Sequence, residues 1–312
     1  MANNKVFIVI DGNSVVHRAF HALPMLTGKD GAPAGAVYGF ALALFKAVED
    51  FHPDYIAACF DTKAPTFRHK EFENYKAQRP ETPKTLIPQF EKLRHLLQDF
   101  GVEVFSQDGF EADDLIASVI AAAKKDPQSG QVDFYILTGD YDSLQLVGGN
   151  VRAFIINRGV KNAVLYDAKK VKEAFGVMPG QITDLKALAG DSSDNIPGAP
   201  GIGPKGAVEI LANCDHLEDI YAASEAGEKT CLGGTTHARN LEKILLENKA
   251  TILRFKKIVT MLDDAPVGPV FERCAFGNFS GPRPAEALRE LGFVSLIKRL
   301  GPPATSRNAT LF

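Results

Sequence analysis

Short runs of Val, Ile, Phe and Tyr alternate with helical patterns along the first half of the chain, and this alternation is the strongest constraint on its fold. The predicted strands cover residues 6–10, 55–60, 102–105, 134–137 and 151–156. The predicted helices between them cover residues 36–51, 83–100 and 112–125. Because the strand runs are continuously apolar, helices must cover both faces of the sheet. We therefore predict an α/β fold with a mostly parallel central sheet flanked by helices over residues 1–180.

A second, helical region is predicted after residue 180, where the strand-like runs stop. Helical patterns occupy residues 184–188, 207–212, 237–262 and 285–300, so this region is predicted to span residues 181–300. Between the early elements, residues 62–83 carry bases, aromatic rings and prolines without a clear period, which predicts a loop or arch over the sheet. Residues 301–312 are predicted to form a flexible tail.

Length and composition indicate a globular chain, because 312 residues with 45% apolar content can build a core. No apolar run approaches the roughly 18 residues that span a bilayer, and the start of the chain lacks the charged and apolar regions of a signal peptide. We therefore expect a cytoplasmic protein, and we expect it to be a monomer.

The four cysteines lie far apart in sequence: Cys59, Cys214, Cys231 and Cys274. Zinc knuckles pair cysteines at short spacings, and small secreted domains carry dense disulfide frameworks. Since neither pattern is present, we expect four buried free thiols.

Three aspartates stand where apolar strand runs end: Asp11, Asp61 and Asp140. In open parallel sheets, ligands bind at the carboxyl ends of the strands, beside the point where the strand order reverses. Asp is also a common turn residue, so any one of the three has an ordinary explanation. Three together favour a binding site at this edge of the sheet.

A tighter acidic cluster opens the predicted helix 112–125, with Glu111, Asp113 and Asp114 in four positions. The helix dipole favours acids in a first turn by about 0.3 to 1 kcal/mol each, so capping is the alternative explanation. Crowded carboxylates repel one another, however, and Mg²⁺ or Mn²⁺ would relieve this repulsion through the oxygen ligands it prefers.

Further acids complete a set of nine candidate metal ligands, namely Asp142 beside Asp140, and Asp191 with Asp194 in a polar loop. Nine carboxylates exceed what one ion needs. Two divalent ions, one activating water and one stabilising the leaving oxygen, are the usual arrangement for phosphodiester hydrolysis.

The glycine-rich loop at 201–206 matches G-x-G-x-x-G, but no strand precedes it, which argues against a dinucleotide-binding motif. It is not a P-loop either, because no Gly-Lys-Ser or Gly-Lys-Thr follows. Gly201 and Gly203 instead predict a tight turn before a helix that begins near Lys205, where exposed backbone N–H groups hold phosphate. An ordinary turn between helices is the alternative.

Basic and aromatic residues alternate in one segment that follows the strand end at Asp61. The segment comprises Phe67, Arg68, His69, Lys70, Phe72, Tyr75, Lys76 and Arg79. This composition suits phosphate contacts and base stacking, and a solvated charged face over aromatic anchors would look similar. The net charge of −3 argues mildly against nucleic-acid binding, but an acidic pocket that holds cations would be compatible with it.

Taken in order, these motifs resemble the 5′-nuclease domain of bacterial DNA polymerase I and the flap endonuclease family. The resemblance runs from about residue 6 to residue 211, with a weaker echo to residue 300. The matching motifs are Asp11-Gly12-Asn13, Phe60-Asp61, Phe67-Arg68, Tyr75-Lys76-Ala77-Gln78-Arg79, Glu111-Ala112-Asp113-Asp114, Gly139-Asp140-Tyr141-Asp142 and 190–206. One departure is Tyr141, where the family commonly has Lys.

The resemblance implies roles for individual residues. Lys76 and Arg79 match positively charged catalytic residues that face the scissile phosphate. The glycine turn resembles a helical hairpin that holds duplex DNA, often with K⁺ at the turn. Arg68, Tyr75, Gly201, Gly203 and Lys205 are expected DNA contacts. One metal group would comprise Asp11, Asp61, Glu111, Asp113 and Asp114, and the second Asp140, Asp142, Asp191 and Asp194.

These inferences together predict a 5′-to-3′ exonuclease and 5′-flap endonuclease that uses two Mg²⁺ or Mn²⁺ ions in DNA replication and repair. Its expected partners are DNA with 5′ ends, flaps or junctions, RNA-primed strands, and a DNA polymerase on another chain or another part of the protein. A junction-binding protein without catalysis and a metal-dependent ribonuclease of related fold are the alternatives. A phosphoaspartate-type phosphatase is disfavoured, because 11–13 lacks the second acid of Asp-x-Asp.

Overall fold

A computed structural model of the chain describes residues 4–126, 130–157, 162–235, 238–277 and 279–300. Its six strands form one sheet in the order β3-β2-β1-β4-β5-β6. The strands are β1 (Lys5–Asp11), β2 (Tyr55–Cys59), β3 (Glu103–Phe105), β4 (Val132–Thr138), β5 (Val151–Ile155) and β6 (Val164–Tyr166). All neighbouring strands are parallel except β5 and β6. The predicted mostly parallel sheet is therefore confirmed.

Helices of the first half separate and flank the strands: α1 (Gly12–Ala22), α2 (Gly35–Phe51), α3 (Phe67–Glu71), α4 (Ile87–Asp99), α5 (Ala112–Lys125) and α6 (Ala168–Phe175). The three predicted helices correspond to α2, α4 and α5. Four elements were not predicted, namely α1, β6, α6 and α3, which lies within the predicted loop 62–83. Helix α1 begins with Gly12, Asn13 and Ser14, which are poor helix formers, and its start depends on the Asp11 side chain, which accepts a hydrogen bond from the Ser14 N–H.

The second half is helical, as predicted: α7 (Ile182–Ala189), α8 (Pro204–Asn213), α9 (Leu217–Glu225), α10 (Ala238–Glu247), α11 (Lys249–Val259), α12 (Val270–Cys274), α13 (Pro282–Glu290) and α14 (Val294–Ile297). Two predicted helices are each divided in the structure. The pattern at 237–262 is interrupted at Asn248, and the pattern at 285–300 is interrupted at Gly292, whose φ of 79° lies in the left-handed region. The predicted tail 301–312 lies outside the described residues, and the division at residue 180 stays a prediction.

The core lies on both faces of the sheet, as the continuously apolar strands require. In β1, Phe7 and Val9 pack on one face with α5 and the helices α7, α8 and α11, whereas Ile8 and Ile10 pack on the other with α2, α4 and α13. Alternate residues of a strand point to opposite faces, so one strand contributes to two cores. None of the helices in the described ranges is long and apolar enough to cross a membrane.

The expectation of four free thiols was wrong for two of them. Cys214, at the end of α8, forms a disulfide with Cys231, and their Cα atoms are 5.4 Å apart. The chain between them folds back through α9, which sequence spacing could not reveal. Closing a loop of 17 residues stabilises a fold by about 3 kcal/mol. Cys59 and Cys274 are free and buried, as expected.

Candidate active site

A cleft of about 1860 Å³ lies at the carboxyl ends of the central strands. The chain runs from β1 through β2 to β3 in one direction and resumes with β4 on the other side of β1, so the strand order reverses between β1 and β4. Ligands bind at such switch points. Seven of the nine predicted acids line this cleft: Asp11, Asp61, Glu111, Asp113, Asp140, Asp142 and Asp191.

Asp11 lies at the floor of the cleft, where β1 ends and α1 begins. Its carboxylate accepts hydrogen bonds from the Ser14 N–H at 3.0 Å and from the Thr138 hydroxyl at 2.6 Å. Burial, together with the nearby Asp140 and Asp61 carboxylates, raises the pKa of Asp11 to about 7, although these two hydrogen bonds lower it. The site therefore concentrates negative charge.

Asp113 is the least compensated carboxylate of the cleft. Its Oδ1 atom is buried and has no hydrogen-bond partner among the described residues. Burial raises its pKa well above the ordinary value, and the Asp11, Asp140 and Asp142 carboxylates raise it further. A buried oxygen without a donor is uncommon in a folded protein and points to a missing partner such as a cation. The residues present thus fit a divalent metal ion.

The second acidic group comprises Asp142, Asp191 and Asp194, which bring one oxygen each within 4.8 Å of one another. The Lys186 ammonium contacts Asp142 and lies 2.6 Å from Asp191. Burial raises the pKa of Asp142 to about 7, in spite of the opposing effect of Lys186. Asp194 lies deeper, next to the cleft, and is 5% exposed.

Only three of the seven acids that line the cleft pair with a base inside the described ranges, Glu111 with Lys76, and Asp142 and Asp191 with Lys186. The four others are Asp11, Asp61, Asp113 and Asp140. Asp61 lies at the exposed rim, where it accepts hydrogen bonds from the Asn13 side chain and the Ala112 N–H. An excess of unpaired carboxylates is the arrangement that hard divalent cations bind.

The cations Lys76 and Arg79 both line the cleft, as predicted for residues that face a phosphate. The Lys76 ammonium lies 2.7 Å from Glu111, and the Arg79 guanidinium lies 2.8 Å from Asp194. Burial alone would lower the pKa of Lys76, but the Glu111 and Asp194 carboxylates raise it above the ordinary value. Lys76 is therefore charged at neutral pH.

Two predicted site residues, Asp114 and Arg68, do not line the cleft. Asp114, expected as a metal ligand, is fully buried, and its carboxylate accepts hydrogen bonds from both Arg68 Nη atoms and from the Glu111 and Leu262 N–H groups. Arg68, expected as a DNA contact, is 3% exposed. Four donors saturate Asp114, so this pair holds the fold together, and neither residue lines the acidic cleft. The alternation of basic and aromatic residues along this segment could not show which basic side chains point into the core.

Tyr75 is also buried, with 3% of its surface exposed, so its ring is not available for base stacking as we expected. Its hydroxyl lies 3.1 Å from Glu111 and 3.2 Å from Asp194. It therefore connects an acid of the first group with an acid of the second.

The glycine turn has the predicted local structure. Gly201 adopts a φ of 75°, a conformation that favours glycine, and Gly203 is the N-cap of α8. Gly201, Gly203 and Lys205 are all exposed, and none of them lines the acidic cleft. Contact of this turn with DNA stays a prediction.

Sequence reasoning missed four Lys and Arg residues that line the cleft, namely Arg18, Lys46, Lys186 and Arg299. Lys186 lies on α7, within a helical pattern that carried no functional signal. Arg18 lies on α1, and its guanidinium donates to the carbonyls of Gly139 and Asn157. The unusual Tyr141 also lines the cleft, and its hydroxyl donates to the Asn157 side chain at 2.9 Å.

Comparison with known proteins places this geometry in context. The chain matches a family model described as 5′-3′ exonuclease, N-terminal resolvase-like domain, over residues 6–176, and a second described as 5′-3′ exonuclease, C-terminal SAM fold, over residues 177–281. It is 34% identical to DNA polymerase I of Bacillus subtilis over 301 residues, which cover 96% of this chain and 33% of that protein. The chain thus spans about a third of the length of this curated relative.

Two solved structures share the fold. A T5 5′-exonuclease with bound zinc is 21% identical, with a TM-score of 0.63 over 95% of this chain and 97% of that one. A T5 flap endonuclease in a complex with DNA and metal ions is 20% identical, with a TM-score of 0.63 over 92% of this chain and 100% of that one.

Proposed function

The chain belongs to the 5′-3′ exonuclease family and is a nuclease, and from this premise we propose that it cleaves DNA at 5′ ends and 5′ flaps with two divalent metal ions. The observation that carries the proposal is the buried Asp113 oxygen, which has no hydrogen-bond partner among the described residues and lies among the carboxylates of the cleft, with Lys76 and Arg79 beside them. Hard oxygen ligands favour Mg²⁺, or Mn²⁺ in its place.

The metal ligands we propose form two groups. The first comprises Asp11, Asp61, Glu111 and Asp113, without Asp114, and the second comprises Asp140, Asp142, Asp191 and Asp194. Divalent ions held there would make a water molecule a stronger nucleophile and offset charge on the leaving oxygen. The T5 enzymes of the same fold have been solved with metal ions bound, which supports this assignment.

The chain's own cations would act on the substrate phosphate. We assign to Lys76 and Arg79 the binding of its non-bridging oxygens, where a preorganised positive charge stabilises the transition state. The Arg79 side chain is 48% exposed, so it can contact a substrate while its ion pair with Asp194 holds it in position. Lys186 would orient Asp142 and Asp191, and Arg18 would hold the backbone at Gly139.

We assign binding of duplex DNA to the glycine turn at residues 201–206. Gly201 and Gly203 present backbone N–H groups at the start of α8, a helix of ten residues, and Lys205 adds a positive charge. Such contacts bind the DNA backbone without reading its sequence. We also propose K⁺ at this turn.

The proposed substrates are DNA junctions with a free 5′ end, including strands that begin with RNA. The curated relatives are DNA polymerases about three times as long as this chain, so a DNA polymerase is the proposed partner. We further propose a cytoplasmic monomer.

Product mapping on matched substrates tests the function. We expect a 5′-flap duplex to be cleaved near the junction and a 3′ flap of the same sequence to stay intact, in Mg²⁺, under single-turnover conditions. A flap that begins with ribonucleotides should be cleaved at the same junction. Tight binding of the 5′ flap without cleavage would identify a junction-binding protein, and cleavage of only the RNA part would identify a ribonuclease.

A further inference from the structure

Lys76 has a backbone conformation that lysine rarely adopts. Its φ is 54°, and the only other non-glycine residues with positive φ in the described ranges are His52 and Asn195, at 47° and 60°. Such a conformation is unfavourable by about 1 to 3 kcal/mol for most side chains and persists only where the surroundings impose it. Some contact must therefore hold residue 76 in place.

The contact comes from the loop that carries the second acidic group. The Lys76 N–H donates to the Asp194 carbonyl at 3.2 Å, and the Asn195 side-chain amide donates to the Asn74 carbonyl at 2.8 Å. The Gln78 side-chain amide donates to the Ser192 carbonyl. We call these three hydrogen bonds the clamp. The Tyr75 and Arg79 side chains also donate to the same loop, at Asp194 and Ser193.

Asn195 is the residue of the clamp whose side chain type suits its backbone conformation. Asn tolerates the left-handed conformation better than most residues, so φ of 60° is accessible to it. The base of its loop is closed by two hydrogen bonds between the backbones of Asp191 and Ile196, at 2.8 Å each. The loop is therefore rigid at its base, and Asn195 extends from it across to the neighbouring segment.

The outer part of the loop is open to solvent on two sides, although Asp194 and Ile196 are buried. Its residues 190–192 line the acidic cleft and also a second cleft of about 700 Å³ on the side of Pro204. Gln78 and Ser192 are exposed. Hydrogen bonds therefore contribute to the spacing between the loop, which carries Asp191 and Asp194, and the segment, which carries Lys76 and Arg79.

We propose that Asn195 is a positioning residue, which fixes Lys76 and Arg79 beside the carboxylates by tying their segment to the loop 191–196. The inference rests on the proposed function, in which these two cations meet the scissile phosphate. Within the part of the chain that the structure describes, the Asn195 side chain makes its hydrogen bond to Asn74 and none to a predicted metal ligand. It acts on the reaction through the position of the segment.

Two substitutions separate the effect of the Asn195 side-chain hydrogen bond from the effect of its backbone conformation. Asn195→Gly removes the amide and keeps positive φ accessible, and Asn195→Asp keeps the size and the tolerance of positive φ but replaces the donor with a carboxylate. A purely conformational role would leave both variants similar to wild type. Asn150→Ala is the matched control, because Asn150 is also partly buried and its amide also donates to a carbonyl, that of Val132, at the opposite end of the sheet.

Hydrogen exchange and single-turnover kinetics test the proposal on the full chain. In both Asn195 variants, without DNA, we expect the amides of residues 74–79 to exchange about fivefold faster, as fits the loss of one net hydrogen bond. Cleavage of the 5′ flap should slow by about tenfold, since displacing a reacting group by about 1 Å lowers rates by up to roughly 10²-fold. KM, duplex affinity and the Asn150→Ala control should be unchanged.

Wild-type exchange in both variants would overturn the clamp, and so would faster exchange combined with wild-type cleavage. Slower cleavage without faster exchange would also overturn it, because Asn195 would then act by another route. If the wild-type chain cleaves no 5′-ended substrate, the proposed function fails, whereas the exchange comparison still decides whether the clamp exists.

Discussion

Asp113→Asn is expected to slow cleavage of a 5′ flap by about a thousandfold, because a divalent ion contributes several kcal/mol to such a reaction and each 1.4 kcal/mol is about tenfold in rate. Asp113 is chosen because its buried oxygen has no hydrogen-bond partner among the described residues, which fits a metal ligand. Asn keeps the size of the side chain but removes its negative charge. Single-turnover rates with saturating enzyme measure the effect on the chemical step.

Stability gives a second readout for the same variant. Asp113 lies among Asp11, Asp140 and Asp142, whose charges oppose its ionisation, so the metal-free variant should unfold at no lower temperature than wild type. The rise in unfolding temperature on adding Mg²⁺ should be smaller than in wild type, because a weakened site gives less stabilisation. Asp108→Asn, at an exposed position in the connection before α5, is the control. A cleavage rate within tenfold of wild type would contradict the role of Asp113.

Arg68→Ala is expected to lower the free energy of unfolding by about 3 to 5 kcal/mol, as is usual when one partner of a buried ion pair is removed. The Arg68 guanidinium lies 2.6 and 2.7 Å from the two Asp114 oxygens and also donates to the carbonyls of Ile258 and Thr260. It thus ties α3 to the start of α5 and the end of α11. Denaturant unfolding monitored by circular dichroism measures the loss.

Two comparisons make this prediction specific to the pair. Lys70→Ala, an exposed change on the same helix, should alter stability by no more than about 0.5 kcal/mol. The double variant Arg68→Ala with Asp114→Ala should lose less than the two single losses added together, because each removes the same interaction. Full stability in Arg68→Ala, together with weakened DNA binding, would instead support the DNA contact expected from sequence.

The acids at strand ends could be predicted because their signal is local. An Asp that directly follows an apolar strand reaches the carboxyl edge of a parallel sheet wherever that strand lies, so Asp11, Asp61 and Asp140 came together as expected. The parallel sheet itself followed from strands that are apolar on both faces. In such cases a few neighbouring residues determine the outcome.

Contacts between distant elements could not be predicted in this way. Arg68 and Arg79 belong to the same basic segment, yet Arg68 is buried against Asp114 while Arg79 lines the cleft. The difference depends on how the short helix α3 packs against α5 and α11. The link of Lys186 to Asp142 and the disulfide between Cys214 and Cys231 likewise depend on tertiary packing.

The requirement for a divalent metal tests the central claim most directly. The measurement is single-turnover cleavage of a 5′-labelled flap duplex, first in excess chelator and then after Mg²⁺ or Mn²⁺ is restored, with binding of the duplex followed in parallel. We predict no cleavage in chelator, full recovery with either ion, and binding that persists throughout, since the glycine turn is separate from the acidic cleft. Undiminished cleavage in chelator would contradict the account.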